Sequence, residues 1–120
     1  MTTTVLIVDD SQLIRGMVVR ALGAAGYRVV EARDGVEGLS RLEQDRPALV
    51  ICDVNMPRMN GVELLEAARQ APDVPPFLML TTEADPAVIA AAKAAGARAW
   101  IQKPFRADLV LAAVRKLAAP

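Results

Sequence analysis

Asp9 and Asp10, Asp53, Thr81 and Thr82, and Lys103 share a placement: each stands at or just beyond the end of a short apolar run. If those runs are strands of one parallel sheet, three carboxylates, a hydroxyl and an ammonium converge on one edge. Two carboxylates about 4 Å apart at an effective dielectric near 20 repel by roughly 4 kcal/mol, so such a cluster needs protons or a cation. Oxygen donors select a hard divalent ion, magnesium or calcium, over zinc. A site with two or three carboxylates also leaves positions for water and a phosphate oxygen, which is how magnesium is usually held. Lys103 supplies positive charge on the other side. A carboxylate between a divalent ion and a lysine can attack a phosphoryl donor and become an aspartyl phosphate, the cations offsetting charge on the transferred oxygens. Asp53 is the nucleophile candidate, because it stands alone at its strand end and precedes Val54, Asn55, Met56 and Pro57, a loop able to turn backbone carbonyls toward a metal. Asp9 and Asp10 read as metal holders.

Positioning these groups requires a repeating scaffold, and the chain supplies one. Five apolar runs, Val5 to Val8, Arg28 to Glu31, Leu49 to Cys52, Phe77 to Leu80 and Ala99 to Ile101, alternate with five segments of helical period. The first helical segment carries Leu13, Ile14, Met17, Val18, Ala21 and Leu22 on one face and stops at Gly26. Asp34, Asn60 and Asp85 stand at helix N-caps, the first two with Glu37 and Glu63 three residues on, and Pro86 follows Asp85 in the first turn. The alanine-rich stretch Ala87 to Ala97 is a plain helix with Val88, Ile89 and Lys93 giving it a face, closed by Gly96. A last helix runs from about Ala107 through Leu109, Val110, Val114 and Leu117, before Pro120. Continuous apolar strands separated by helices predict an α/β fold, a doubly wound parallel sheet covered on both faces, with ligands beyond the carboxyl ends of the strands.

Composition bounds the function. The 120 residues, 53% hydrophobic and 23% charged, suit one domain with one core and leave no room for a second, output domain. Fourteen basic residues balance 14 acidic ones, so no overall field draws nucleic acid or an anionic membrane. Histidine is absent, which excludes a histidine-centred triad, a histidine metal site and a phosphohistidine on this chain. The lone Cys52, in an apolar run, favours a reducing compartment, and no signal or membrane-spanning run is evident, so the expected location is the cytoplasm. Cys52, Met56, Met59 and Met79 read as packing residues.

Val8-Asp9-Asp10, Asp53 with Asn55-Met56-Pro57 and Gly61, Thr81, and Lys103-Pro104-Phe105 together resemble the receiver-domain signature of response regulators, in order and spacing and over essentially the whole chain. The resemblance implies a flavodoxin-like sheet of strand order 2-1-3-4-5 with five helices. It implies that Asp53 is the phosphoacceptor, that Asp10 and Asp53 bind Mg2+ directly with the backbone carbonyl of Asn55, and that Asp9 acts largely through water. It gives Thr81 the phosphate-sensing hydroxyl, Lys103 the phosphoryl contact, and Trp100 the place of a switch aromatic that is more often tyrosine or phenylalanine. It also implies a cis bond between Lys103 and Pro104. Asn55, Thr82 and Glu83 flank the site as modulators of phosphoryl lifetime. The run from Thr81 to Asp85 and the segment Trp100 to Phe105 look closest to the chemotaxis type. The implied partners are a histidine kinase and a flagellar motor switch protein, or another protein target, docking on the face of helix four, strand five and helix five, with the domain a monomer.

Singly, each residue has a simpler explanation. Asp9 or Asp10 can cap the first helix, Asp53 can cap a turn, Thr81 can end a strand and Lys103 can be a solvated charge. Jointly, four strand ends suited to one phosphate and one metal outweigh that account. Among rival functions, a phosphorelay intermediate or a non-chemotaxis receiver uses the same chemistry. A magnesium-dependent phosphohydrolase of the haloacid dehalogenase type needs an Asp-x-Asp pair that Asp9-Asp10-Ser11 lacks, and a flavin or mononucleotide binder needs a glycine-rich phosphate loop after strand one that is also missing.

Overall fold

The computed structural model describes residues 2–56, 58–82 and 86–118. Five strands, β1 (Thr4–Val8), β2 (Arg28–Ala32), β3 (Leu49–Asp53), β4 (Phe77–Thr81) and β5 (Ala99–Gln102), alternate with five helices, α1 (Gln12–Ala24), α2 (Gly35–Asp45), α3 (Gly61–Ala68), α4 (Pro86–Ala95) and α5 (Ala107–Leu117). The strands form one sheet in the order β2-β1-β3-β4-β5, and every pairing is parallel. This is the expected doubly wound sheet. Each strand runs one residue further than its apolar run, at Thr4, Ala32, Asp53, Thr81 and Gln102, so two of the polar residues in question lie within the ladder rather than after it.

Alternation along the strands divides the core in two. Leu6, Val8, Val50, Cys52, Phe77 and Met79 pack toward α2, α3 and α4 with Leu64, Leu65, Ala68, Ala92 and Ala95. Val5, Ile7, Leu49, Ile51, Leu78 and Leu80 pack toward α1 and α5 with Val18, Leu22, Val110 and Val114. Cys52 and Met79 are fully buried, and Met56 and Met59 pack against the first cluster, as packing residues would.

The helix faces are narrower than the sequence suggested. Leu13 is 71% exposed and Leu109 55%, although both were expected on apolar faces. The buried stripe of α1 is Val18 and Leu22 with Ile14 in support, four residues apart, and Leu13 is rotated off it by one residue; Leu109 stands in the same relation to Val110 and Val114. Caps follow the expected chemistry in part. Asn60 and Glu63 form a complete capping box on α3. On α2 the Asp34 carboxylate accepts from the Glu37 N–H at 2.9 Å, but the Glu37 carboxylate accepts from Arg33 N–H, so the box is half made. Gly26 and Gly96 both take positive φ, 96° and 106°, where α1 and α4 stop. The Asp85 cap falls outside the described residues.

Candidate functional site

The carboxyl ends of β1 and β3, adjacent at the centre of the sheet, set the site. Asp9 is fully buried and Asp53 is 4% exposed, whereas Asp10 is exposed. One carboxylate oxygen from each of Asp9, Asp10 and Asp53 lies within 4.8 Å of the others. The Lys103 Nζ reaches across from the end of β5, 2.8 Å from Asp9 Oδ2 and 3.2 Å from Asp53 Oδ2. The lysine is thus not on a separate side of the cluster, as the sequence suggested, but bridges two of its carboxylates. Asp53 is held at both oxygens, Oδ2 by the lysine and Oδ1 by the N–H of Asn55 at 3.1 Å.

The backbone behind Asp53 is as constrained as its side chain. Gly61 at the start of α3 lies so close to the Asp53 carbonyl that any Cβ there would collide with it and approach the Met79 methyl at 2.9 Å. Gly61 N–H donates to the Val54 carbonyl at 3.0 Å, closing the loop between β3 and α3. The part of that loop at Pro57 is outside the described residues. Arg58 takes φ 71° and its guanidinium pairs with the Asp34 carboxylate at 3.3 Å, tying the loop to the N-terminus of α2.

Burial and the negative charge of Asp9 push the Asp53 carboxyl above the ordinary carboxylate range, against the lowering effect of Lys103 and the Asn55 N–H. Burial alone would lower the Lys103 ammonium, but its hydrogen bond to Asp9 and the charges of Asp53 and Asp9 outweigh that and hold it above its usual value. With three carboxylates against one ammonium, the ionised site is two positive charges short, and its donors are all hard oxygens. That donor set fits magnesium, which tolerates few protein carboxylates and fills its other positions with water and phosphate. Burial, then the charges of Asp53 and Asp9, push the Cys52 thiol well above its usual value, so it stays protonated and inert beside the acids.

The remaining expected residues are placed as follows. Thr81 is buried at the end of β4, and its carbonyl accepts from the Lys103 N–H at 2.6 Å. Thr82 is exposed just beyond, and the side chain of Asn55 is exposed at the rim. Glu83 lies outside the described residues. Trp100 pairs in register with Met79, on the α4-facing side of β5, three residues before Lys103; the bond from Lys103 to Pro104 is cis.

Some contacts were not anticipated. Ser11, rather than Asp9 or Asp10, caps α1, accepting from the Ile14 N–H, while Asp9 Oδ1 accepts from the Ser11 N–H. Arg15 donates to the Asp9 carbonyl at 2.6 Å and pairs with Glu31 at 3.2 Å, pinning the end of β1. The signal for Arg15 was a single charge inside the apolar stretch from Leu13 to Val19. The pairing of Arg58 with Asp34 had no local signal, since it joins segments far apart in sequence.

Comparison with known proteins agrees with this geometry. The family described as response regulator receiver domain matches residues 5–115. The response regulator MprA of Mycobacterium tuberculosis is 38% identical over 117 residues, covering 98% of this chain and 51% of that protein. The chain therefore spans about half the length of the curated relatives it matches. Among solved structures, the Vibrio cholerae chemotaxis protein CheY4 is 42% identical with a TM-score of 0.90, covering 98% of this chain and 99% of that one. A response regulator from Chloroflexus aurantiacus is 34% identical with a TM-score of 0.92, the two chains covering each other fully.

Proposed function

We propose, since this chain belongs to the response regulator receiver family, that it accepts a phosphoryl group on Asp53 from a histidine kinase and signals through a phosphorylation-dependent protein contact. Receiver domains are phosphoryl-accepting regulators rather than typical enzymes, they bind Mg2+ at an acidic pocket, and they act between histidine kinases and downstream targets. The observation that carries the reading is the convergence of buried Asp9 and Asp53, exposed Asp10 and the bridging Lys103. Asp9, Asp10, Asp53 and the Asn55 carbonyl would hold magnesium, which when bound supplies the positive charge that keeps Asp53 ionised and offsets charge on the phosphoryl oxygens.

The chain's own groups do the rest. Lys103 and the Asn55 N–H fix the Asp53 carboxylate in one orientation. An Asp53 oxygen forms a bond to phosphorus as the donor's phosphorus–nitrogen bond breaks, the electron pair leaving on the kinase imidazole. The new phosphoryl group adds about two negative charges beside Lys103 and Thr81. Lys103 turns from Asp9 toward the phosphoryl oxygens, and the Thr81 hydroxyl follows. Thr81 and Trp100 face the same side of the sheet, the first two residues beyond Met79 and the second opposite it, so the shift opens space into which the indole turns. The face of α4, β5 and α5 changes as a result and binds the target. Thr82, Asn55 and Glu83 set how readily water reaches the aspartyl phosphate.

Intact mass after incubation with magnesium and acetyl phosphate tests this. The expected result is one phosphoryl adduct that needs magnesium and is absent from Asp53→Asn; no adduct in the wild type refutes the reading.

The proposed setting is chemotaxis, with a cytoplasmic, monomeric receiver acting on a flagellar motor switch protein. The similarity to CheY4 along almost its whole length supports this. No helix among the described residues is long and apolar enough to cross a membrane. A second reading, a phosphorelay intermediate or a receiver of another pathway, is favoured by the match to MprA, of which the chain covers half. Binding to a purified motor switch protein separates them: tightening of tenfold or more on phosphorylation supports the first, and no change supports the second.

A further inference from the structure

Trp100 is 37% exposed, an unusual setting for the only tryptophan of the chain. Its ring is not left to solvent. The Lys93 Nζ lies over it, 5.4 Å from the ring centroid. Lys93 is in the last turn of α4, an otherwise uncharged helix of sequence PAVIAAAKAA, and its own helix offers it no carboxylate. The ammonium therefore sits where the negative face of the indole is its partner. The same turn is anchored on its far side: Arg69 at the end of α3 donates to the carbonyls of Ala95 at 2.7 Å and Ala94 at 3.4 Å, next to Lys93 in sequence. Lys93 thus projects from a fixed point of α4 onto a ring carried by β5.

We infer that Lys93 is a latch that holds the Trp100 ring outward and so opposes the signalling state. The inference rests on the reading above, in which the ring turns inward when Asp53 is phosphorylated. An inward ring leaves the ammonium behind on the helix surface, so the contact exists in the outward state alone and biases the equilibrium toward it. A cation–π contact at an exposed position shifts a two-state ratio by about two- to fivefold. Lys93 in this way sets how much of the population signals at a given phosphorylation level. Arginine would preserve the latch, and a neutral side chain of similar length would release it.

Because Trp100 is the sole tryptophan, its emission and acrylamide quenching report the ring directly. The full chain is compared with Lys93→Gln and Lys93→Arg, each before and after magnesium and acetyl phosphate, with the adduct counted by intact mass. Lys93 is exposed, so the substitutions leave the core untouched. The expected result is a two- to fivefold higher inward-to-outward ratio in Lys93→Gln, seen as weaker quenching before phosphorylation, with Lys93→Arg matching the wild type. If the wild type responds to phosphorylation but Lys93→Gln matches it throughout, the latch is refuted and the receiver reading stands. If the adduct forms and wild-type emission does not respond, Trp100 is no switch and the latch falls with it. If no adduct forms, the phosphoacceptor reading itself fails.

Discussion

Replacing Asp53 by asparagine should make the protein more stable in the absence of divalent ions, although it removes an ion pair with Lys103. At an effective dielectric of 20, carboxylate oxygens within 4.8 Å of one another repel by about 3.5 kcal/mol or more. Asp53 meets this from buried Asp9 in full and from exposed Asp10 in part, Asp10 being screened by water. Its attraction to the Lys103 ammonium at 3.2 Å is about 5 kcal/mol on the same scale. The charges alone nearly cancel, and the cost of burying the carboxylate tips the balance against its ionised form. Asparagine keeps the shape and the acceptor for the Asn55 N–H, sheds the charge, and leaves Lys103 paired to Asp9 at 2.8 Å. A gain of about 1–2 kcal/mol at neutral pH follows, or roughly 3–10 °C in Tm for a domain of this size.

The pH dependence has a definite sign. The Asp53 carboxyl is raised in the folded state, by burial first and Asp9 second, so the folded protein binds the proton more tightly than the unfolded chain does. The penalty is fully present above the folded pKa and is relieved as pH falls through it toward the ordinary carboxylate range. In chelator, the gap in Tm between Asp53→Asn and wild type should be largest near pH 7 and shrink on acidification. Magnesium should reverse the order, raising the wild type by mass action and the variant much less. Thermal melts by circular dichroism at several pH values, with chelator or magnesium, read all of this. A variant that melts below the wild type in chelator at pH 7 would refute the charge argument, whatever its phosphorylation chemistry.

Two other substitutions probe the same edge. Gly61→Ala forces a Cβ against the Asp53 carbonyl and should cost more than about 2 kcal/mol in a denaturant titration, with magnesium affinity falling as β3 and α3 separate; an unchanged midpoint would show that the loop adjusts freely. Thr82→Ala removes an exposed side chain beside the site and should shorten the aspartyl phosphate lifetime by about two- to fivefold, equivalent to 0.5–1 kcal/mol of barrier, through easier water access. An unchanged decay rate, followed by loss of the adduct mass, would sink that idea.

What the sequence made legible was governed by short-range rules. Val5 to Val8 and Leu49 to Cys52 read as strands covered on both faces, and the strand order that the receiver resemblance implies puts the ends of those two strands, with Asp9 and Asp53, side by side. The pattern of strands places these carboxylates on one edge of the sheet and the resemblance supplies the strand order, so the carboxylate cluster was visible before any coordinate. Contacts between side chains on different elements followed no such rule. Lys103 could be placed at the edge, but that it would span Asp9 and Asp53 depends on the reach of a four-carbon stem from β5 across β4. Leu13 and Leu109 were misjudged because one residue, 100° of helix, separates the buried stripe from solvent, and apolar identity does not say which side of that line a leucine takes. Lys93 shows the same limit from the opposite direction. With Val88 and Ile89 it gives α4 a face in the sequence, yet its partner lies on β5, and only the folded arrangement brings the ammonium over Trp100. The chemistry of this edge is thus written in strand order, while its regulation is written in the packing of helices over it. Substitutions at strand ends should therefore abolish phosphoryl acceptance, and substitutions such as Lys93→Gln should retune its consequence while leaving acceptance intact.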